Sequence, residues 1–275
     1  MPQSIAMAQV CATHDLAANL AKALDLINQA AAQGAKMILF PESFLFLGRK
    51  ESEYLSIAEP IPGPIVNQFC EAAKAQGIWI LMGGFCEKNP ENPAKTYNTS
   101  VLIDDRGTVQ SRYRKIHLFD TKVQEVNLQE SKTVAPGQEI ITAESPIGLL
   151  GMTICYDLRF PCLFQALRRT GAQVMLVPAA FTIQTGRFHW KPLLQARAIE
   201  TQSYVIAPGQ VGRHNEKRQS YGHSLLIDPW GQVLAEGDGE QEELVFGEVD
   251  LEHLAQVREQ MPVFEHRVAG VDWSP

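Results

Sequence analysis

No apolar run in this 275-residue sequence approaches the roughly 18–20 residues that a membrane-spanning helix needs. Basic residues are the minority. The 24 Lys and Arg face 31 Asp and Glu, a formal net charge of −7, and the expected partners include neither nucleic acid, whose binders carry a basic face, nor a membrane. Cysteine is sparse and unpaired: Cys11, Cys70, Cys86, Cys155 and Cys162 are scattered and form neither a CxxC pair nor a Cys/His cluster. That spacing argues against a disulfide framework and a zinc site, and for reduced thiols in the cytoplasm. No basic residue precedes Lys22, so the charged start of a signal peptide is missing. No Ser/Gly/Pro-rich linker or charge block divides the chain, and one domain over residues 1–275 is expected.

What is present is an ordinary globular composition, 45% hydrophobic and 20% charged. Ile5 to Val10 reads as a buried strand. Asp15 then caps a helix whose apolar face is Leu16, Leu20, Leu24 and Ile27. Met37 to Phe40 reads as a strand stopped by Pro41. A second helix–strand unit covers Ile65 to Gln76 and Ile78 to Met82, ended by Gly83-Gly84. Hairpins follow at Asn98 to Ile103 with Val109 to Lys115, and at His223 to Ile227 with Val233 to Glu236. Loops are expected at Glu87 to Lys95, Val123 to Gly137 and Gly237 to Glu243. The fold class is α/β.

The chain echoes itself. Gly34-Ala35-Lys36-Met37-Ile38-Leu39-Phe40-Pro41-Glu42-Ser43-Phe44 aligns without gaps to Gly171-Ala172-Gln173-Val174-Met175-Leu176-Val177-Pro178-Ala179-Ala180-Phe181. Two equivalent helix–strand–Pro units predict a pseudo-twofold architecture. Glu42 then sits at the C-terminal end of a strand, where α/β proteins place their chemistry.

Cys155 follows the apolar run Gly151 to Ile154 and precedes a helical run from Cys162 to Arg169. A thiol at such a junction projects from a sharp turn beside backbone N–H groups that lower its pKa and can hold an oxyanion. A buried, inert thiol fits the same position. Seven histidines offer no distinctive partner for it. Glu42, directly after an apolar strand and a proline, is a candidate base or a paired structural carboxylate. Lys115, in Tyr113-Arg114-Lys115-Ile116-His117-Leu118, is a candidate cation or one of several charges on a solvated edge.

Taken together, Phe40-Pro41-Glu42-Ser43-Phe44, the Tyr113–Leu118 block and Gly151-Met152-Thr153-Ile154-Cys155-Tyr156-Asp157-Leu158-Arg159-Phe160-Pro161 resemble the carbon–nitrogen hydrolase (nitrilase) superfamily. Its catalytic Glu, Lys and Cys occur in this order and in these contexts. The resemblance implies a four-layer α-β-β-α sandwich, a Glu42–Lys115–Cys155 triad, and no metal or organic cofactor. It also implies a second glutamate, Glu130 in Leu128-Gln129-Glu130-Ser131, and an oxyanion donor in the backbone N–H of Tyr156.

The C-terminal half is similar to the amidase branch acting on deaminated glutathione, through Gly212-Arg213-His214-Asn215, Asp228-Pro229-Trp230-Gly231 and Met261-Pro262-Val263-Phe264-Glu265-His266-Arg267. Its nearest sister contains omega-amidases of alpha-ketoglutaramate and alpha-ketosuccinamate. The implied partner is a small amide bearing carboxylates. Arg159 is the first candidate for one carboxylate; Arg187, Arg213, His214 and Lys217 are candidates for the far end, with Phe181 and Thr182 lining the pocket. The Arg159-to-Arg169 region, the helix from His189 to Glu200 with proline in its first turn, and a tail from about residue 258 are the expected surfaces of a homodimer or larger homo-oligomer. A glutaminase-like subunit, or a non-catalytic interaction protein on the same scaffold, is the alternative from another class.

Overall fold

The computed structural model describes residues 1–50, 52–123 and 126–268. In chain order the first half contains β1 (Gln3–Gln9), α1 (Leu16–Ala32), β2 (Met37–Leu39), α2 (Glu53–Ile57), α3 (Pro64–Gln76), β3 (Trp79–Lys88), β4 (Thr96–Ile103), β5 (Val109–Arg114), β6 (Asp120–Val123) and β7 (Val126–Gln129). The second half contains β8 (Thr142–Ala143), β9 (Leu150–Met152), α4 (Pro161–Arg169), β10 (Val174–Leu176), α5 (Ile183–Thr201), β11 (Tyr204–Ala207), β12 (Val211–Arg213), β13 (Gln219–Tyr221), β14 (Leu225–Ile227), β15 (Val233–Glu236), β16 (Glu243–Val249) and α6 (Leu251–Gln260).

Two six-stranded sheets result, ordered β16-β1-β2-β3-β4-β5 and β8-β9-β10-β11-β14-β15. They match strand for strand. Each holds three central parallel strands, two antiparallel strands on one side and one on the other. The echo is repeated in the hydrogen bonds: Gly34 N to Ala31 O matches Gly171 N to Arg168 O, and Phe40 N to Leu81 O matches Val177 N to Ile206 O. Both glycines lie at positive φ, 82° and 97°, where a side chain would be strained.

Side-chain alternation builds the layers. Ile5, Met7, Met37 and Leu39 face the second sheet and share a core with Leu150, Met152, Val174 and Leu176. Ala6, Ala8, Ile38 and Phe40 face the other way, onto Ala23, Ile27 and Ala30 of α1 and Val66, Phe69 and Ala73 of α3. α4 and α5 bring Phe164, Leu167, Trp190 and Leu194 to the second sheet. The order is therefore helix, sheet, sheet, helix. Strands covered on both faces need near-continuous apolar runs, which is what β1, β2 and β10 carry.

The details depart from expectation in places. Asp15 does cap α1, accepting from Ala18 N at 3.0 Å, but the fully buried face is Asn19, Ala23, Ile27 and Ala30, with Leu16, Leu20 and Leu24 half-buried beside it. Small residues let the helix approach the sheet closely, and the leucines fill the flanks. Gly83-Gly84 does not end β3. The strand runs on to Lys88 through a register shift between Met82 and Phe85, and Glu87 is a buried strand residue paired with Arg114 at 2.6 Å. A Cβ on Gly83 would collide with the Phe40 carbonyl and with Pro178, so the glycines serve close approach at the sheet ends.

α5 begins six residues before His189 and holds Pro192 mid-helix. The proline withdraws a donor from the Phe188 carbonyl, on a turn where Phe188 is exposed. Between Val123 and Gly137 stand β7 and a short 3₁₀ turn, Glu130–Lys132. The tail, as far as residue 268, lies against its own chain: the Arg168 and Arg267 guanidinium groups flank the Phe264 ring, and Arg267 donates to Gln165. Val271 and Trp273 lie outside the described residues.

Candidate active site

Glu42 leaves β2 in the turn after Pro41. Phe40 and Phe44 stack at 4.6 Å on either side of it, and both meet the Phe69 ring edge-on. Such ring pairs contribute roughly 0.5–1.5 kcal/mol each beyond burial, so the turn is anchored through its neighbours. Cys155 opens a 3₁₀ turn, Cys155–Arg159, just past β9. Its φ is +48°, uncommon for a side-chain-bearing residue. The conformation is held by Cys155 N donating to Pro178 O at 3.0 Å. Lys115 follows β5. Alternation sends Arg114 to Glu87 on one face and Lys115 to the other, into the sandwich.

Folding brings these residues into contact. Lys115, 2% exposed, donates from Nζ to Glu42 Oε1 at 2.9 Å and to Glu130 Oε2 at 2.8 Å. Glu130 is fixed by Phe119 N at 2.7 Å. Asn98 Nδ2 donates to Glu42 at 2.9 Å and to Glu130 at 3.3 Å. Ala180 N donates to Glu42 Oε2 at 3.2 Å, and the same amide and the Glu42 carboxylate both act on the Cys155 thiol. The alignment partner of Glu42 is Ala179, which has no polar side chain; the backbone donor to Glu42 comes from the next residue of that repeat, Ala180.

Burial and charge set the protonation states. Burial pushes the Glu42 carboxyl up, but the Lys115 ammonium and the bonds from Cys155, Lys115 and Asn98 outweigh it and hold Glu42 below its usual range. Burial lowers Lys115, yet Glu130, Glu42 and Cys155 hold it well above its ordinary value. Burial and the Glu42 charge push the Cys155 thiol well up, against a smaller pull from Lys115. This corrects the expectation of a lowered thiol pKa: the turn offers N–H groups, but the nearest full charge is the Glu42 carboxylate. The resting group is the neutral thiol, beside an ionised acid. That arrangement can pass a proton from sulfur to carboxylate as the sulfur attacks an electrophile.

The turn is tied to the Lys115 segment by Asp157, which is fully buried. Its carboxylate accepts from Ile154 N at 2.9 Å, Tyr113 Oη at 2.7 Å, His117 N at 3.0 Å and His117 Nδ1 at 2.7 Å. Sequence reasoning missed Asp157, Asn98 and Ala180 as parts of the site. The one available signal was an Asp two positions after the candidate nucleophile, between apolar residues.

The carbon–nitrogen hydrolase family profile matches residues 4–259. The chain belongs to the carbon–nitrogen hydrolase family. It is 42% identical to deaminated glutathione amidase of Dictyostelium discoideum, over 96% of this chain and 93% of that one. With the protein of that name from Synechocystis it shares 44% identity, over 97% and 98%. The solved NitFhit protein of C. elegans superposes with a TM-score of 0.91 at 40% identity, covering 97% of this chain and 65% of the longer one. This hydrolase therefore acts on carbon–nitrogen bonds other than peptide bonds.

The expected substrate-binding residues divide. Arg159 of the hydrolase lies beside the site: its guanidinium stands 5.8 Å from the Tyr156 ring and 5.4 Å from the Phe181 ring, and Nη1 bonds His189 Nδ1 at 3.2 Å. Phe181 is buried against Trp190. Thr182, half-buried, precedes α5 without a side-chain cap bond, and its hydroxyl contacts Thr185 Oγ1 at 3.0 Å. Arg187 is exposed on α5. Arg213 is exposed and folds back on the carbonyls of Asn215 and Glu216.

His214 is a correction. It is buried, with Nδ1 on Ala12 O at 2.8 Å and Nε2 on Ser220 Oγ at 2.8 Å. Burial lowers its pKa to about 4. It is a neutral ring joining β12 and β13 to the segment after β1, with both nitrogens taken. Gly-Arg-His reads as a polar surface motif in sequence; only the third dimension shows its histidine turned inward. No helix among the described residues is long and apolar enough to cross a membrane.

Proposed function

We propose that the protein cleaves the amide joining the ketoglutaryl and cysteinyl parts of deaminated glutathione, releasing 2-oxoglutarate and cysteinylglycine. One observation carries this reading. The buried Lys115 ammonium is held between the carboxylates of Glu42 and Glu130, and Glu42 stands beside the Cys155 thiol, in a chain over 40% identical to amidases named for that substrate.

Cys155 attacks the amide carbon, and its proton passes to Glu42 as the S–C bond forms. The carbonyl electron pair moves onto oxygen, where Lys115 and the Tyr156 N–H stabilise it. Lys115 has three hydrogens; one points to Glu42 and one is shared by the two Glu130 oxygens, at 3.1 and 2.8 Å, which leaves the third for the oxyanion. Collapse of the intermediate breaks the C–N bond, and Glu42 returns its proton to the leaving amine. A thioester remains. Water then loses a proton to Glu42 as its oxygen attacks. The S–C bond breaks, the sulfur recovers that proton, and the acid leaves. One water is consumed and the enzyme is restored. Arg159, oriented by His189, receives the alpha-keto acid carboxylate.

Five free thiols support a reducing compartment, the cytoplasm. Phe188 and Ile199, 75% and 49% exposed on α5, support assembly into a homo-oligomer. Comparing kcat/KM for deaminated glutathione, alpha-ketoglutaramate and alpha-ketosuccinamate tests the substrate. Preference for the small keto-amides would move the activity to omega-amidase; no release of amine or ammonia from any of them would end the reading.

A further inference from the structure

Asn98 touches both glutamates, yet the reaction above gives it no task. Its Nδ2 reaches Glu42 Oε1 at 2.9 Å and Glu130 Oε1 at 3.3 Å. Lys115 Nζ reaches the same two oxygens, at 2.9 and 3.1 Å. Two acceptors and two donors thus alternate around a closed ring. A side-chain amide carries two N–H bonds, so both contacts form together.

The main chain of Asn98 is fixed as well, since its carbonyl accepts Lys115 N at 2.8 Å. Gly84 clears the space: a Cβ there would stand 2.9 Å from Asn98 Oδ1 and 3.1 Å from Glu42 Cα. The extra glycine that disturbs β3 therefore lets Asn98 and Glu42 meet.

Charge explains why the residue is an amide. Two carboxylates share one ammonium in a buried site. A third acid would add repulsion, and a second cation would neutralise the base. A neutral double donor supports both carboxylates without altering the charge. With Oε1 of Glu42 occupied by two donors, Oε2 remains. It accepts from Ala180 N at 3.2 Å, and that amide also acts on the Cys155 thiol, so Oε2 is the oxygen on the sulfur side.

We propose that Asn98 is a positioning residue for amide hydrolysis: its amide yokes Glu42 and Glu130 to Lys115 and reserves Oε2 of Glu42 for the proton of Cys155. The inference rests on Glu42 acting as the base, and its test does not depend on the substrate. Full-length wild type, Asn98→Leu, Asn98→Ser and Asn98→Asp are treated with iodoacetamide from pH 5 to 9, and Cys155 modification is followed by peptide mass mapping. Kinetics with alpha-ketoglutaramate run alongside.

In Asn98→Leu, kcat falls roughly 10- to 100-fold, a part of the about 10²–10⁴ that general-base catalysis supplies, with KM nearly unchanged. The acid limb of both the alkylation and the kcat/KM profiles moves to higher pH, because a bond favouring the carboxylate is gone. Asn98→Ser keeps one donor and recovers part of the rate; Asn98→Asp is the worst of the three. Wild-type rates in Asn98→Leu would overturn the proposal, and so would a lower rate with the acid limb unmoved in both Asn98→Leu and Asn98→Ser. Should Asn98→Leu fail to fold, the serine variant decides. A wild type inert toward the amide, with an alkylation profile that still answers to Asn98, would sink the substrate assignment alone.

Discussion

Asp157 Oδ2 accepts the phenol of Tyr113 at 2.7 Å, across 44 positions of sequence. Oδ1 takes both the backbone N–H and the ring Nδ1–H of His117. Tyr113 and His117 stand two residues before and after Lys115. One buried carboxylate beside the candidate nucleophile thus grips both flanks of the catalytic lysine candidate. The distance between sulfur and ammonium is fixed by a group that touches neither.

That linkage predicts the effect of Tyr113→Phe. The Asp157 carboxylate keeps three donors and loses a charge-assisted one, which costs roughly 1.5–3 kcal/mol. Urea unfolding of the two proteins should show the loss as a lower midpoint at constant m-value. An unchanged midpoint would mean that the bond contributes nothing net.

The triad candidates act as a unit, so their effects do not add. Cys155→Ala, Glu42→Gln and Lys115→Ala should each reduce kcat by about 10³ or more, and a double variant should lose little beyond the worse single one. Steady-state assays with any accepted amide provide the check. Wild-type turnover in one of the three would break the assigned roles.

Acid stability has a definite sign. Folding holds Glu42 below its ordinary value, with burial opposing and Lys115 prevailing. Its contribution is complete above about pH 4.3, the unfolded value, and is lost as the pH falls through the lower folded value. Wild type should therefore lose stability on acidification more steeply than Glu42→Gln. Lys115 is raised by its two glutamates, so its contribution is complete below about pH 10.4 and disappears only as alkali passes the folded value. Thermal melts from pH 3 to 11 would show parallel curves if neither group were coupled to folding.

The resting thiol also makes a spectroscopic prediction. With Cys155 held above its usual range by burial and the Glu42 charge, wild type minus Cys155→Ala should show no thiolate absorbance near neutral pH. A thiolate band at pH 7 would reverse the order of proton transfer.

Arg159 should separate binding from chemistry. Arg159→Ala is expected to raise KM for a keto-acid amide, with a smaller change in kcat, since it removes a carboxylate fork remote from the scissile bond. His189→Ala should do the same more weakly by releasing the guanidinium. A neutral amide lacking the carboxylate should be indifferent to both. Equal losses on charged and uncharged substrates would show that Arg159 is only a packing residue.

Much of this was readable along the chain. The gap-free echo between Gly34–Phe44 and Gly171–Phe181 foretold two matching sheets, because near-identical local patterns of glycine, apolar run and proline build near-identical helix–strand joints. Glu42, Lys115 and Cys155 stood out because their flanking blocks are distinctive, and Glu130 followed only from the resemblance those blocks carry. Arg114 and Lys115 were not told apart in the sequence; the strand sends them to opposite faces, Arg114 to Glu87 and Lys115 to Glu42.

What the sequence determined by itself was local: which segments form most of the strands and helices, and which residue types could bear the chemistry. Tertiary structure alone decided protonation and partnership. The thiol rose instead of falling because burial and the nearest charge are set by distant segments. His214 turned inward to bind Ala12, and Asn98 became a bridge, because hydrogen-bond partners come from strands far apart in the chain. Burial and Coulomb energy depend on distances in space, and a one-dimensional pattern does not contain them.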